Sequence, residues 1–261
     1  MKILFSGICY QCFEEAKKKG EKFAKNYPPL GVAIELNEQG VYSYQCQNKH
    51  ISWYFLQEPL FQILFDLGVL AISDGYTREA VSSFATSLER FYEFIIKLIL
   101  ISDETEEELL LRFWKEISKQ SERQYGAYLA LYLNKFKKNP HILNNRWIQF
   151  RNNVLHAGKI PSEKESTEYG QVICDLIFDV LFNLKDHFKD ESIVLFQKVY
   201  KYNVNTIKKE YPRINKAGSG SMPTLIQTRM IKTEFFKRLT LIEEVERFRN
   251  SKKPIRISYI K

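Results

Sequence analysis

The chain has 261 residues, enough to bury a sizeable core and to divide into two or three units. Its 44% hydrophobic content, with 19 Phe and 15 Tyr, excludes a disordered chain, and no stretch reaches the roughly 18 uncharged apolar residues of a spanning helix. The net charge of +8 is uneven: residues 189–261 hold 17 Lys or Arg against 7 Asp or Glu, and residues 1–188 hold 22 against 24, so a basic tail on a neutral body points either to an anionic partner or to a solubilising surface.

At the N-terminal end, MKILFSGICYQCFEEAKKK lacks a leader layout, because charge follows the short apolar run directly and no cleavage site is apparent. A reducing cytoplasm is the expected compartment. Cys9 and Cys12 form a C-x-x-C, and Cys46 with His50 forms a C-x-x-x-H after 33 intervening residues. VAIEL alternates, NEQG supplies a turn and VYSYQC alternates again, which predicts a hairpin between the two ligand pairs. Three thiolates and one imidazole suit tetrahedral zinc, and four protein ligands leave no open position. Residues 1–56 are therefore expected to be a zinc-ribbon-like β module holding a structural zinc ion. Two buried thiols beside unrelated residues are the plain alternative. A redox C-x-x-C would need a βαβ setting that is not present. YSYQCQNKHISW also resembles the second half of small bacterial zinc ribbons. Cys174, in QVICDLIF, falls on an apolar helical face and reads as core.

Helical periods follow. Pro59 opens a helix with Leu60, Ile63, Leu64, Leu67 and Leu70, ending near Ser73-Asp74-Gly75. Thr77 is expected to cap a long helix in which Val81, Phe84, Leu88, Phe91, Ile95, Leu98 and Ile99 keep three-four spacing. Asp103 or Thr105 caps the next, and YGAYLALYLNKF continues until Asn139-Pro140. Asn144 or Asn145 starts WIQFRNNVLHAG, and Ser162-Glu163-Lys164-Glu165 forms a capping box for the helix after it. Four or five antiparallel helices with short links make a bundle.

Within WIQFRNNVLHAG, Trp147, Phe150 and Val154 mark an apolar stripe. Asn152 and His156 are four apart and share a face, Arg151 flanks that face, and Gly158 stops the helix. His156 then lies in the last turn, among unpaired carbonyls that favour positive charge. A helix-capping histidine near a surface arginine is the plain reading. Two asparagines in the preceding turn disfavour the helix, however, and call for a reason.

Arg151-Asn152-Asn153-Val154-Leu155-His156, followed by Gly158, Pro161 and EKESTEYGQ, resembles the R-N-x-x-x-H signature of the HEPN superfamily. The resemblance covers about residues 76–190, and VSSFATSLERFYEFIIKLIL is similar to the first long HEPN helix, where Glu89 or Glu93 would hold Arg151. It implies a mainly α fold: a HEPN-type antiparallel bundle over 57–190, between the small β zinc ribbon and a basic, mostly helical extension over 191–261. It further implies a homodimeric, metal-independent endoribonuclease of antiphage defence, a toxin or abortive-infection effector with an antitoxin or defence-system partner. Arg151 would bind the scissile phosphate, His156 would act as general acid or base, and Asn152 would orient it. The products would be a 2′,3′-cyclic phosphate and a 5′-hydroxyl. HEPN toxins that are controlled through a tyrosine carry it where Gly158 stands, so that control is not expected. The alternative is a non-catalytic RNA-binding, sensor or scaffold subunit.

In the extension, residues 191–209 read as a helix with Ile193, Phe196, Tyr200, Val204 and Ile207 on one face. YPRINKAGSGSMP is the clearest break, EFFKRLTLIEEVERFRN a last helix and PIRISYIK a short strand. Arg213, Lys216, Arg229, Lys232, Lys237 and Arg238 cluster around the break and are expected to track an RNA backbone, with dimerisation or docking as the competing role.

Overall fold

The structure, a computed structural model, describes residues 2–7, 9–20, 30–37, 39–214, 218–220, 224–226 and 240–250. These residues are mainly helical, with nine helices and two small sheets. The chain divides into two compact units, one of residues 1–58, 203–223 and 251–261, the other of residues 59–202 and 224–250.

In the first unit, β1 (Lys2–Gly7) pairs antiparallel with β2 (Leu30–Glu35), and α1 (Tyr10–Lys18) lies between them in sequence. β3 (Val41–Gln45) pairs antiparallel with β4 (Ile51–Leu56), with Val41 opposite Phe55 and Gln45 opposite Ile51. The expected hairpin between VAIEL and VYSYQC is not formed. Alternation marks a strand without naming its partner, and here the partner is set by the turn at 46–50. The Cys46 N–H donates to the His50 carbonyl at 3.0 Å, the Lys49 N–H donates to the Cys46 carbonyl at 2.9 Å, and Lys49 takes a left-handed φ of 64°. That closes β3 directly onto ISWYFL.

The sequence GSG, read as part of a break, is β5 (Gly218–Gly220), parallel to β4 with Gly218 opposite Tyr54. A Cβ on Gly218 would stand 3.2 Å from the Tyr54 ring, closer than carbon atoms normally approach, so glycine lets this strand lie against the ring.

The second unit is built around α3 (Thr77–Ser102), which packs on α2 (Leu60–Ser73), α5 (Ser121–Phe136), α6 (Asn145–Leu155) and α7 (Glu163–Phe188). α4 (Glu107–Ile117) packs on α5. Phe84 of α3 is fully buried between Gly68 of α2 and Gly170 of α7, whose missing side chains let the helices close on its ring. Two expected starts shift. Tyr76 and Glu106 take the N-cap positions of α3 and α4, and neither helix has a side-chain cap. Other starts match their signals. The Asn144 side chain accepts the Trp147 N–H, and Ser162 with Glu165 forms the full capping box.

α8 (Glu191–Glu210) spans the expected residues but centres its inward face elsewhere, with Phe196 of the expected stripe at its edge, 5.2 Å from the Phe94 ring. Leu195, Val199 and Tyr202 are buried, while Ile193 is exposed. The helix carries apolar residues on more than one stripe, and the bundle accepts the one that meets it. α9 (Leu241–Asn250) packs on α2 and α7. The Leu241 N–H donates to Gln171 Oε1 at 2.7 Å, and Arg249 grips the Glu163 carboxylate with two 2.9 Å bonds while donating to the Ile72 carbonyl at 3.1 Å. No helix of the described residues is long and apolar enough to cross a membrane.

Candidate functional site

Two candidate clusters stand out, one in each unit. In the first unit, Cys9 immediately precedes α1, Cys12 lies in its first turn, and Cys46 and His50 bracket the β3–β4 turn. The three cysteines are buried, and the four ligand atoms lie within 4.8 Å of one another. A tetrahedral ion bonded to sulfur at ~2.3 Å and nitrogen at ~2.1 Å demands ~3.8 Å between sulfurs and ~3.6 Å between sulfur and nitrogen. The Cys12 and Cys46 sulfurs are 3.8 Å apart, and His50 Nδ1 is 3.4 Å from Cys12 Sγ and 3.7 Å from Cys9 Sγ. The cluster could therefore hold a metal ion and is compatible with zinc. The first ligand pair sits on a helix N-terminus rather than on a turn between strands.

The surroundings support this role. Asn48 Nδ2 donates to Cys12 Sγ at 3.3 Å, the Ser52 hydroxyl donates to Cys9 Sγ at 3.5 Å, and His50 Nε2 faces Glu15 Oε1 at 3.8 Å. A carboxylate behind a ligating histidine fixes the ring's orientation and tautomer. Burial pushes the Cys9 thiol up, but hydrogen bonds from Ser52, the Cys12 backbone and His50 outweigh it and bring it down to about 6. Burial pushes Cys12 up to about 11 against the Asn48 amide. A bound divalent cation reverses the second tendency, because thiolate ligation releases the proton. Asn48 and Ser52 were not singled out from the sequence. The available signal was their position, one inside the Cys46–His50 turn and one just beyond it.

In the second unit, α6 buries Trp147, Phe150 and Val154, and Trp147 and Phe150 both contact the Tyr169 ring of α7. That anchoring leaves Asn152 and His156 exposed and Arg151 half-buried at the helix end. His156 is the C-cap, its N–H bonded to the Asn152 carbonyl at 2.9 Å, and Lys159 N–H bonds the Asn153 carbonyl at 3.0 Å. Gly158 takes φ +75°, the left-handed conformation expected of a helix stop.

Burial pushes the Tyr169 phenol up, the Arg151 guanidinium pulls it down, and Glu89 pushes it up again, which puts both charges within electrostatic reach of that ring. The same two charges act on Tyr92. Glu93 is instead committed to Arg90 and Lys97, each at 2.7 Å. Of the two acidic candidates, Glu89 is the one that shares its surroundings with Arg151.

Lys159, overlooked in the sequence, bonds Glu165 at 2.5 Å and lies 4.9 Å over the Phe150 ring, tying the segment after His156 to the capping box of α7. Of the basic residues expected to track RNA, Arg213 belongs to a short 3-10 turn, Pro212–Ile214. Lys216, Arg229, Lys232, Lys237 and Arg238 lie outside the described residues, as does the strand expected over PIRISYIK. No family model, curated protein or solved structure matches the chain.

Proposed function

We propose that the protein is a HEPN-type endoribonuclease whose α6 carries half of an active site completed by a second copy of the chain, with a structural zinc ion on Cys9, Cys12, Cys46 and His50. The supporting observation is the grouping at the end of α6. Asn152 and His156 are solvent-exposed on one face and Arg151 is at its edge, while the rest of that helix is anchored in the core. Such a group suits transesterification of RNA. A base takes the 2′-hydroxyl proton, the 2′-oxygen attacks phosphorus, and the bond to the 5′-oxygen breaks as that oxygen receives a proton. His156 performs one of these transfers and its symmetry mate the other. Arg151 stabilises the charge gathering on the phosphate, and Asn152 orients the phosphate or the imidazole. Cys9, Cys12, Cys46 and His50 would hold the zinc ion with four protein ligands, a set that would stabilise the ribbon unit and take no part in this chemistry.

The test is incubation of purified protein with labelled RNA, with and without EDTA, beside Arg151→Ala and His156→Ala. Cleavage that survives chelation, ends in a 2′,3′-cyclic phosphate and falls at least about 100-fold in both variants is the expected result. Growth of cells expressing wild type or His156→Ala, under phage challenge, tests the antiphage role. Equal growth sinks the toxin reading, and tight RNA binding without cleavage favours a non-catalytic RNA-binding subunit instead.

A further inference from the structure

The β3–β4 hairpin has two faces of different character. One buries Tyr42, Tyr44, Ser52 and Tyr54. The other leaves Ser43, Gln45, Ile51 and Trp53 in solvent, with Ile51 66% and Trp53 39% exposed. Ser43 pairs with Trp53 and Gln45 with Ile51, so a polar strand lies beside an apolar one across the strip. At one end is the exposed Lys49, whose carbonyl accepts the Gln45 side-chain amide at 3.2 Å. At the other end the strip is closed by Phe55, two residues beyond Trp53, which is buried with Lys208 Nζ 5.7 Å over its ring. The exposed part runs from the Gln45–Ile51 pair to the Ser43–Trp53 pair, two residue steps or roughly 7 Å, with Lys208 just beyond it.

Charge indicates what this strip meets. The described residues of the unit that contains it hold 8 Lys or Arg against 5 Asp or Glu, a surplus of 3, whereas those of the helical unit hold 20 against 23. Among the described residues the positive surplus therefore belongs to the ribbon unit. Four side chains cover far less than the ~800 Å² per partner of a stable protein interface. An exposed indole flanked by cations at both ends suits a base stacked on the ring and phosphates held beside it.

We infer that the outward face of the β3–β4 hairpin, centred on Trp53 and flanked by Lys49 and Lys208, binds single-stranded RNA by stacking. This deepens the endoribonuclease reading by adding a substrate-holding surface in the ribbon unit, and it rests on RNA being the substrate. Every base has a face to stack, so the surface is tolerant of sequence. A duplex, whose bases are already stacked on one another, gains nothing from it.

The experiment is fluorescence anisotropy of a labelled, roughly 12-nucleotide single strand titrated with the full chain. A His156→Ala background suppresses turnover, and the same RNA is also tested as a duplex. Trp53→Ala should weaken single-strand binding about 5–100-fold, Trp53→Phe should retain most of it, and duplex binding should change little. Lys208→Gln should reduce the salt dependence by roughly one phosphate contact. Metal content equal to wild type in each variant confirms that the ribbon is folded. Equal affinity of wild type and Trp53→Ala overturns the inference, as does a Trp53-dependent dimer without any change in RNA affinity. The outcome separates from that of the endoribonuclease reading. Cleavage abolished by His156→Ala with binding indifferent to Trp53 removes only the surface, and Trp53-dependent binding without cleavage in any variant removes only the nuclease.

Discussion

Replacing Gly68 with alanine probes how tightly the bundle is closed around α3. Helix propensity alone makes the substitution favourable, by up to ~1 kcal/mol in a helix interior. The structure reverses that sign. An added Cβ would come within 2.6 Å of Phe84 Cδ1, where carbon atoms ordinarily keep ~3.5–4.0 Å. The ring has nowhere to go, since its opposite edge already faces Gly170, where a Cβ would stand 2.6 Å from Cε2. Overpacking of this kind costs up to ~3 kcal/mol, leaving a net loss of ~2 kcal/mol after the propensity gain. Urea denaturation followed by far-ultraviolet circular dichroism should show a lower midpoint with an unchanged slope, and Tm should drop ~4–8 °C. Gly170→Ala should behave alike, because its Cβ would also stand 2.6 Å from Leu241 Cδ2. Phe84→Leu vacates part of the space, so Gly68→Ala combined with Phe84→Leu should lose less than the two single variants added together. A Gly68→Ala protein as stable as wild type, or additive losses in the double variant, would refute the account of the interlock.

Two further outcomes follow from buried and ligating groups. Asp66 is buried, and burial holds its carboxyl well above the ordinary carboxylate range, although both its oxygens accept the Leu225 N–H at 3.2 Å. The folded protein therefore keeps a proton that the unfolded chain releases above pH ~3.9, and stability falls as pH rises between those two values. Asp66→Asn keeps an acceptor without that proton, so it should be more stable than wild type at neutral pH. Its advantage should shrink to nothing below pH ~4, as read by denaturation at a series of pH values; a constant difference across that range contradicts the burial argument. At the Cys3His cluster, elemental analysis should find a metal ion in wild type and little in Cys46→Ser. Asn48→Ala should bind zinc ~10-fold more weakly in competition with a chelator, because the Cys12 thiolate loses a donor at 3.3 Å; unchanged affinity removes Asn48 from the site.

Much of the site was legible because its signals are local. Cys9-x-x-Cys12 and Cys46-x-x-x-His50 announced a ligand set by residue type and spacing, and the turn that carries the second pair is only five residues long. Arg151, Asn152 and His156 were placed by helical spacing and by a glycine whose left-handed φ the structure shows. Glu89 was left level with Glu93, because sequence spacing cannot tell which acid neighbours a residue on another helix. The commitment of Glu93 to Arg90 and Lys97 appears only once side chains are in place. Ser52 and Glu15 were missed for the same reason, since each approaches a ligand from another element.

By itself the amino-acid sequence determined the helices from α2 to α8, though not α1, together with the Asn144 cap, the Ser162–Glu165 capping box and the apolar stripe of α6, all of which depend on groups three or four residues apart. Tertiary structure alone decided that VYSYQC pairs with ISWYFL rather than VAIEL, that Gly218–Gly220 serves as a strand, and that α8 buries Leu195, Val199 and Tyr202 rather than the stripe through Ile193. The physical reason is common to all three. An alternating or amphipathic pattern states that a surface must be covered, while the identity of the cover depends on contacts between residues far apart in the chain, for which one segment carries no signal.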